Sequence, residues 1–305
     1  MRPHWRDQVR TAADLPACAA TASLYREQGH SSRTAPIAAT ADLAADLALA
    51  NRLADAAGAA IRPLFRGTWS EERKDDRSYV TEADRAAEAA MRAILEAERP
   101  GDGIVGEEYG TVRESAARQW VLDPIDGTTS FIAGRAIFGT LIALVQDGWP
   151  VLGIIDQPVL GERWAGRVGE ASTFNGRAIR TRPCADLAEA VLATTSPNMF
   201  GDDDADAFMG LAKGVAERKI VWGGDCYSYG LLASGHIDVV CEANLKLYDY
   251  AALVPVVEGA GGTMSDWQGH PLDAGSDGRV LALGDPARLE DVIEKMGGSN
   301  PGHDH

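Results

Sequence analysis

Two aspartates, Asp123 and Asp126, stand three residues apart in the run "VLDPIDGTTSF". The preceding "WVL" reads as a buried strand, and it delivers Asp123 to the strand's end, where α/β folds gather their ligands. Pro124 disfavours helix at Asp123 and stiffens the exit. Asp126 is then expected to project from the first turn, with the Ile125 carbonyl between the two carboxylates as a further oxygen. Gly127 allows close backbone approach, and the hydroxyls of Thr128 and Thr129 can cap a new helix whose free N–H groups bind phosphate. Such a grouping suits a metal-assisted phosphoryl site. It suits an Asx-turn with an N-cap equally well, and spacing alone divides the two evenly.

Three other acidic stretches bear on that choice. "GEEYG" puts Glu107 and Glu108 at the end of the strand "GIV", where adjacent acids are ordinarily just solvated. "LKLYDYAAL" places Asp249 at the start of an apolar helix, a position the helix dipole favours for any acid. "VTEAD" fits the capping-box pattern, Thr81 with Asp84, so Asp84 is structural, functional or both. Histidine offers little alternative. His4, His30, His303 and His305 sit in the end segments, and His236 and His270 stand alone in turns. A Ser-His-Asp triad or a His-rich transition-metal site therefore has little to draw on. Plentiful carboxylate favours Mg²⁺, Mn²⁺ or Ca²⁺ over zinc. The run Gly101 to Gly106 formally matches G-x-G-x-x-G, but a helix precedes it and "EEYG" follows, so the phosphate-binding helix of a dinucleotide fold is missing.

Taken in order, "GEE", "DPIDGTTSF" and "YDYAA…EGAGG" resemble the signatures of the inositol monophosphatase family of Mg²⁺-dependent, lithium-sensitive phosphatases, over residues 45–290. The resemblance implies an α/β fold, an alternating α-β-α-β-α sandwich in two halves with a metal site at their cleft, and a homodimer. It implies that Glu107, Asp123, the Ile125 carbonyl and Asp126 ligate a metal pair, with Asp249 completing the second site. Thr128 with Glu107 is implied to orient the attacking water, and Asp84 to lie near a weaker third metal. Gly127 and Thr128 are implied to offer backbone N–H groups to the phosphate. The expected cofactor is Mg²⁺, two or three per site, with Mn²⁺ as a substitute. The expected reaction is in-line attack of a metal-activated water on a small phosphorylated metabolite, which needs neither histidine nor a covalent intermediate.

The segments "WGGDCYSYGLLASGHIDVV" and "CEANLKLYDYAALVPVVEGAGG", with "FGTLIAL" and "GIIDQPVLGERW", resemble the histidinol-phosphate phosphatase branch more than the inositol phosphatases. Histidinol phosphate carries an ammonium and an imidazole, which want carboxylates and a flat apolar neighbour. Asp225, Glu242 and Asn244 are the expected polar contacts, beside Asp126 and Asp249 at the metal end, and Trp222 or Tyr227 is the expected flat surface; the resemblance implies a carboxylate at Glu242 for sugar hydroxyls too, so Asp225 is the better discriminator. Asp225 is equally placed to be the N-cap of "CYSYGLLASG", and Trp222 to be core. The alternative within the class is an inositol or sugar monophosphatase. The alternative from another class is a non-catalytic metal or phosphate sensor, whose mark would be a lost ligand or a lost Thr128; neither is missing.

These residues need elements to position them. Apolar residues recurring at 43, 47, 50, 54, 57, 61 and 64 predict a helix from about Ala41 to Arg66, and a second is expected from Glu82 to Glu98, stopped before Pro100. Strands follow through "IVGEE", "WVLDPID" and "GTLIALVQDGWPVLGIIDQPVLGERWAGRV". From Asp186 strand and helix alternate, ending in one helix over "YDYAALVPVVEGAG". The pattern predicts two α/β halves, 41–185 with the metal motifs and 186–296 with substrate specificity, and a cleft between them. Residues 1–40 and 297–305 are expected to be disordered ends. With 45 Asp and Glu against 29 Lys and Arg, the net charge of −16 argues against nucleic acid or an anionic membrane as partner. Four cysteines without C-x-x-C spacing, and no apolar run long enough to span a bilayer, point to a reduced, cytoplasmic protein, with a targeting role for the N-terminal segment as the lesser reading.

Overall fold

The computed structural model describes residues 43–68, 71–73 and 79–297, so residues 1–40 and all of the tail but Gly297 lie outside the described residues. Helix α1 (Leu43–Ile61) buries Ala50, Ala54, Ala57 and Ile61 of the expected stripe, but also Leu49 and Leu53 outside it, while Leu43 and Leu47 are only half-buried, so the buried face is rotated from the expected one. The helix ends before the expected Arg66, because Pro63 disfavours helix at Arg62 and cannot donate a hydrogen bond. A short antiparallel pair, β1 (Glu71–Arg73) and β2 (Tyr79–Thr81), leads into α2 (Glu82–Glu98).

An eight-stranded sheet follows. Its strands are β3 (Gly103–Gly106), β4 (Gly110–Val112), β5 (Arg118–Asp126), β6 (Gly139–Gln146), β7 (Trp149–Gln157), β8 (Glu162–Arg167), β9 (Thr173–Phe174) and β10 (Arg177–Ala178), in the order β10-β9-β8-β7-β6-β5-β3-β4. All neighbours are antiparallel except β3 and β5. The one-turn helix α3 (Thr128–Ile132) leaves the end of β5. The G-x-G-x-x-G run opens into strand β3 rather than a helix, as the sequence implied.

A second, five-stranded sheet carries β11 (Leu192–Thr194), β12 (Ile220–Trp222), β13 (Val239–Glu242), β14 (Thr263–Ser265) and β15 (Val280–Leu283), in the order β12-β11-β13-β15-β14. Its helices are α4 (Asp202–Lys213), α5 (Asp225–Ala233), α6 (Leu247–Tyr250), α7 (Leu253–Gly259) and α8 (Leu289–Lys295). The expected single helix over "YDYAALVPVVEGAG" is two, α6 and α7, because Pro255 has no N–H and its ring would meet the carbonyl one turn earlier, at Ala251.

Three apolar clusters set the layers. One joins α1 and α2 to the outer face of the large sheet, through Leu53, Met91, Trp120 and Ile142. A second fills the space between the sheets, where α5 and α7 bury Tyr229, Leu232, Val256 and Val257 against Leu141, Ile155 and Val240. The third covers the far face of the small sheet with Phe208, Leu211 and Val292 of α4 and α8. The result is an α-β-α-β-α sandwich, the architecture expected. No described helix is long and apolar enough to cross a membrane, and the described cysteines, Cys184, Cys226 and Cys241, are unbridged.

Helix α7 lies directly on the large sheet at two glycines. A Cβ on Gly153 would overlap the Ala252 carbonyl, and one on Gly166 the Pro255 carbonyl. Both obstructions are backbone, so neither can swing aside. Gly153→Ala is expected to lower stability by about 1–3 kcal/mol, the usual cost of overpacking a filled core. Denaturant unfolding measures it, and a midpoint equal to wild type would show that the helix can lift off the sheet without penalty.

Candidate metal centre

The site begins where β5 ends. Strand pairing continues past Asp123 to Asp126, which pairs with Gly139, and the register shifts between them. The expectation that the strand stops at Asp123 is therefore corrected: Pro124 and Ile125 form a bulge, and Asp126 is the last strand residue rather than part of the first turn. A bulge places an extra residue on one strand and re-aims side chains, which lets two aspartates three residues apart face the same space. Asp123 is 1% exposed, and its Oδ1 accepts the Ile125 N–H at 3.0 Å, so the Asx-turn is real.

The expected threonine cap is not. Gly127, at φ 84°, is the residue before α3, and no side chain caps that helix. The Thr128 hydroxyl instead lies 3.2 Å from the Ile125 carbonyl and 3.5 Å from Asp84 Oδ1. Asp84 arrives on α2. Its Oδ2 accepts from the Thr81 N–H at 2.8 Å and the Thr81 hydroxyl at 2.5 Å, while Thr81 Oγ1 accepts from Ala83 N at 3.2 Å. The capping box thus also holds Asp84 against Thr128, and the structural and functional readings of Asp84 are compatible.

Asp249, on the single turn of α6, comes from the other side of the sandwich, with its Oδ2 accepting the Lys246 N–H at 2.6 Å. Oxygens of Asp123, Asp126 and Asp249 all lie within 4.8 Å of one another. Glu107, in the turn after β3, is close enough for its charge to act on Asp84, Asp123 and Asp249. The four aspartates respond to the crowding. Burial, then the charges of Glu107, Asp126 and Asp249, raises Asp123 well above the ordinary range. Burial, then Asp225 and Asp249, does the same for Asp126. Burial pushes Asp249 up to about 7 and Asp84 up to about 6, against the hydrogen bonds that pull each down. Carboxylates held this close, Asp123 buried and Asp126 and Asp249 half-buried, call for a counter-charge. All donors are oxygen, and among the described residues no His or Cys atom joins the cluster, so the set fits a hard divalent cation.

Beside the cluster opens a pocket whose lining includes Asp126, Asp249, Asp225, Glu242, Thr195 and Tyr229, with Met199, Leu245 and Leu253 as apolar wall. Asp225 is not an N-cap: Gly224 precedes α5, and Asp225 is its first residue, at φ 45°. Its Oδ2 accepts the Ser130 hydroxyl at 2.7 Å, across from α3, and a Cβ on Gly127 would run into its carboxyl group. That is why position 127 is glycine. Glu242, at the end of β13, accepts from Thr195 N at 2.9 Å and from the Tyr229 hydroxyl at 2.8 Å, and burial pushes it up to about 7. The Cys226 N–H donates to Asp126 at 2.5 Å.

Three expected contacts are not in that lining. Asn244 is exposed, in the left-handed region at φ 64°. Trp222 is 48% exposed, its ring edge-on to Phe208 on the far face of the small sheet. Tyr227 packs edge-on to Trp164, with its hydroxyl on Glu162. Two residues, about half a turn of α5, put Tyr227 on the side away from the pocket face that Asp225 and Tyr229 share. His270, expected alone, lies 2.9 Å from Asp266. Sequence reasoning missed Ser130, Thr195, Met199 and Tyr229. Tyr229 stands four residues after Asp225 on a helix, and Thr195 follows a strand whose neighbours are parallel; those two signals were present.

A family model described as the inositol monophosphatase family matches residues 42–297. The bifunctional phosphatase IMPL2, chloroplastic, of Arabidopsis thaliana is 47% identical over 258 residues, covering 82% of this chain and 74% of its own. A histidinol-phosphatase of Mycobacterium tuberculosis is 38% identical over 231 residues, covering 73% of this chain and 88% of its own. Among solved structures, an inositol monophosphatase from Zymomonas mobilis superposes with a TM-score of 0.78 at 54% identity, covering 84% of this chain and 99% of that one.

The raised carboxyls carry a pH signature. In the unfolded chain Asp249 would release its proton near its ordinary value of 3.8, whereas in the metal-free fold it does so near 7. Its contribution to stability is thus present below about pH 4 and is lost as pH rises toward 7. Melting of metal-free wild type and Asp249→Asn across that range should show the variant gaining on wild type as pH rises. A difference in Tm independent of pH would contradict this electrostatic account.

Proposed function

The chain belongs to the inositol monophosphatase family, a family of metal-dependent phosphatases, and on that premise we propose that it hydrolyses L-histidinol phosphate to L-histidinol and phosphate with Mg²⁺ as cofactor. The observation that carries the substrate choice is the charge of the pocket. Beyond the metal cluster it presents Asp225 and Glu242 with an apolar wall, and among the described residues lining it there is no Lys, Arg, Asn or Gln. A polyol leaving group needs a mixed fan of donors and acceptors. A leaving group bearing an ammonium and an imidazole needs carboxylates and apolar surface. A bound cation also offsets the burial that raises Glu242, so binding and ionisation of that group reinforce each other. Histidinol-phosphatases of Mycobacterium tuberculosis and Chlorobaculum parvum among the relatives, at 38% and 35% identity, agree with this reading. A second reading, inositol or another polyol phosphate, is favoured by the Zymomonas mobilis structure, titled an inositol monophosphatase.

Glu107, Asp123, Asp126, Asp249 and the Ile125 carbonyl are the residues that would hold the metal. When bound, Mg²⁺ supplies positive charge against the phosphoryl oxygens and lowers the pKa of a coordinated water. The remaining work belongs to the chain. Gly127, in the left-handed region, turns the backbone so that its N–H and that of Thr128 are offered to the phosphate. The Thr128 hydroxyl, held by the Ile125 carbonyl beside Asp84, orients the attacking water together with Glu107. Asp84, pushed up to about 6, can accept the proton at Oδ1 near neutral pH. Leu253, Met199 and Leu245 exclude water from the side where the alcohol leaves.

Phosphate release from histidinol phosphate and from inositol 1-phosphate, each with Mg²⁺, separates the two readings. The expected result is a higher kcat/KM for histidinol phosphate, and a rate no better than for inositol phosphate transfers the assignment to the polyol. Asp225→Asn should raise KM for histidinol phosphate about tenfold more than for an uncharged alkyl phosphate, the size of one charge-assisted contact. Ser130→Ala, which loosens Asp225 without removing its charge, should raise the KM for histidinol phosphate in the same direction but by less. Equal effects of Asp225→Asn on the two substrates would reduce Asp225 to a brace for the Gly127 turn.

A further inference from the structure

Helix α2 carries a second buried carboxylate that the proposed chemistry leaves unused. Glu88 is one helical turn beyond Asp84 on the same face, and it is fully buried. Its Oε2 accepts the Glu108 N–H at 2.7 Å, and its Oε1 accepts the Tyr109 N–H at 3.2 Å and the Arg92 Nε–H at 2.7 Å. Arg92 in turn donates to the Gly110 carbonyl and lies over the Tyr109 ring, 6.0 Å from its centre. Tyr109 closes the circuit, with its hydroxyl 3.4 Å from the Arg85 carbonyl. Glu108 and Tyr109 belong to the turn joining β3 and β4, Gly110 opens β4, and the residue at the head of that turn is Glu107.

Upstream of these bonds the Glu107 N–H donates to the Leu122 carbonyl of β5 at 3.2 Å, so the turn is tied to the sheet at its head and to Glu88 beyond it. β4 is an edge strand of three residues, and Gly110 and Thr111 in it are exposed. Its pairing with β3 begins at Gly106 and Gly110, immediately either side of the turn. Gly106 is itself part of the device, because a Cβ there would collide with the Glu88 carboxyl. The glycine of "GEEYG" therefore exists to admit Glu88, and Glu88 exists to fix the N–H groups that follow Glu107. A carboxylate is suited to this because it is acceptor-only. An amide of the same size would turn an NH₂ group toward one of the three donors.

We propose that Glu88 is a positioning residue that sets the metal affinity of the acidic cluster by fixing the turn that presents Glu107. The proposal rests on the reading of Glu107 as a metal-facing residue given above. Asp84 and Glu88, from one helix, then act on the two sides of the same centre: Asp84 on Thr128, and Glu88 on Glu107. Supports of this kind ordinarily change metal affinity by about 10–100-fold when they are removed.

The test is direct Mn²⁺ binding to the full-length, metal-free protein, with free Mn²⁺ followed by electron paramagnetic resonance, so that turnover is not the readout. Glu88→Gln should raise the Mn²⁺ Kd by about tenfold, with Asp249→Asn as the control that locates binding at the cluster. A variant that melts at a lower temperature but binds Mn²⁺ like wild type would show a purely structural role and overturn the proposal. Should Glu88→Gln fail to fold, Arg92→Gln keeps the carboxylate and removes its partner and the tie to Gly110. A several-fold weaker Kd is then expected, and an unchanged one overturns the proposal. Wild-type Mn²⁺ binding that is absent, or indifferent to Asp249→Asn, would overturn the metal reading of the cluster itself, whereas an effect of Asp249→Asn without one of Glu88→Gln or Arg92→Gln sinks only the role of Glu88.

Discussion

Three carboxyl groups with oxygens inside 4.8 Å repel one another, and the molecule is built to hold them there regardless. Each of the four aspartates of the site is braced by a backbone N–H, and Asp84 by the Thr81 hydroxyl as well. Asp84 takes the Thr81 N–H, Asp123 the Ile125 N–H, Asp126 the Cys226 N–H and Asp249 the Lys246 N–H. Backbone donors fix each side chain without adding a positive charge, so the repulsion is left standing. Burial then outweighs those hydrogen bonds for Asp84 and Asp249, both of which end well above the ordinary range. A salt-bridged cluster would have spent its charge internally. This one keeps it available for a cation.

Holding the cluster requires contributions from both sheets, and two exact fits allow it. At Gly153 and Gly166 helix α7 presses its backbone onto the large sheet, which brings α6 and Asp249 to the end of β5. At Gly127 the chain turns under Asp225, whose carboxyl joins α3 to α5 through Ser130. Asp225 accepts a left-handed backbone to do so, a conformation that costs a non-glycine residue on the order of 1 kcal/mol or more. Residues that keep such strain are commonly held by function as well as by packing.

Much of this was legible from residue order. The helical period of α1, the capping box of α2 and the strand through "WVLDPID" each follow from local patterns; the structure forms all three, with the buried face of α1 rotated and the strand running on to Asp126. The convergence of Asp123, Asp126 and Asp249 was legible only through the motifs, since nothing local relates positions 126 and 249. The pocket was less accessible. Asp225 reads as a cap from the sequence because residue order does not reveal that Ser130, 95 positions away, donates to it. Tyr227 offers the flat ring, but the helical period turns Tyr229 inward and Tyr227 toward Trp164. An apolar run around Pro255 hides the break between α6 and α7.

The origin of the pocket's two ends has an evolutionary consequence. Glu107, Asp123, Asp126 and Thr128 come from the large sheet and its turns, whereas Thr195, Met199, Asp225, Glu242 and Leu245 come from the small sheet and its helices. On the proposed reading, substitutions in the second group change which alcohol is accommodated and leave the acidic cluster, with Asp249 from α6, in place. A lineage with this scaffold can therefore pass from one phosphate ester to another by small steps through promiscuous intermediates, without ever losing the capacity to cleave.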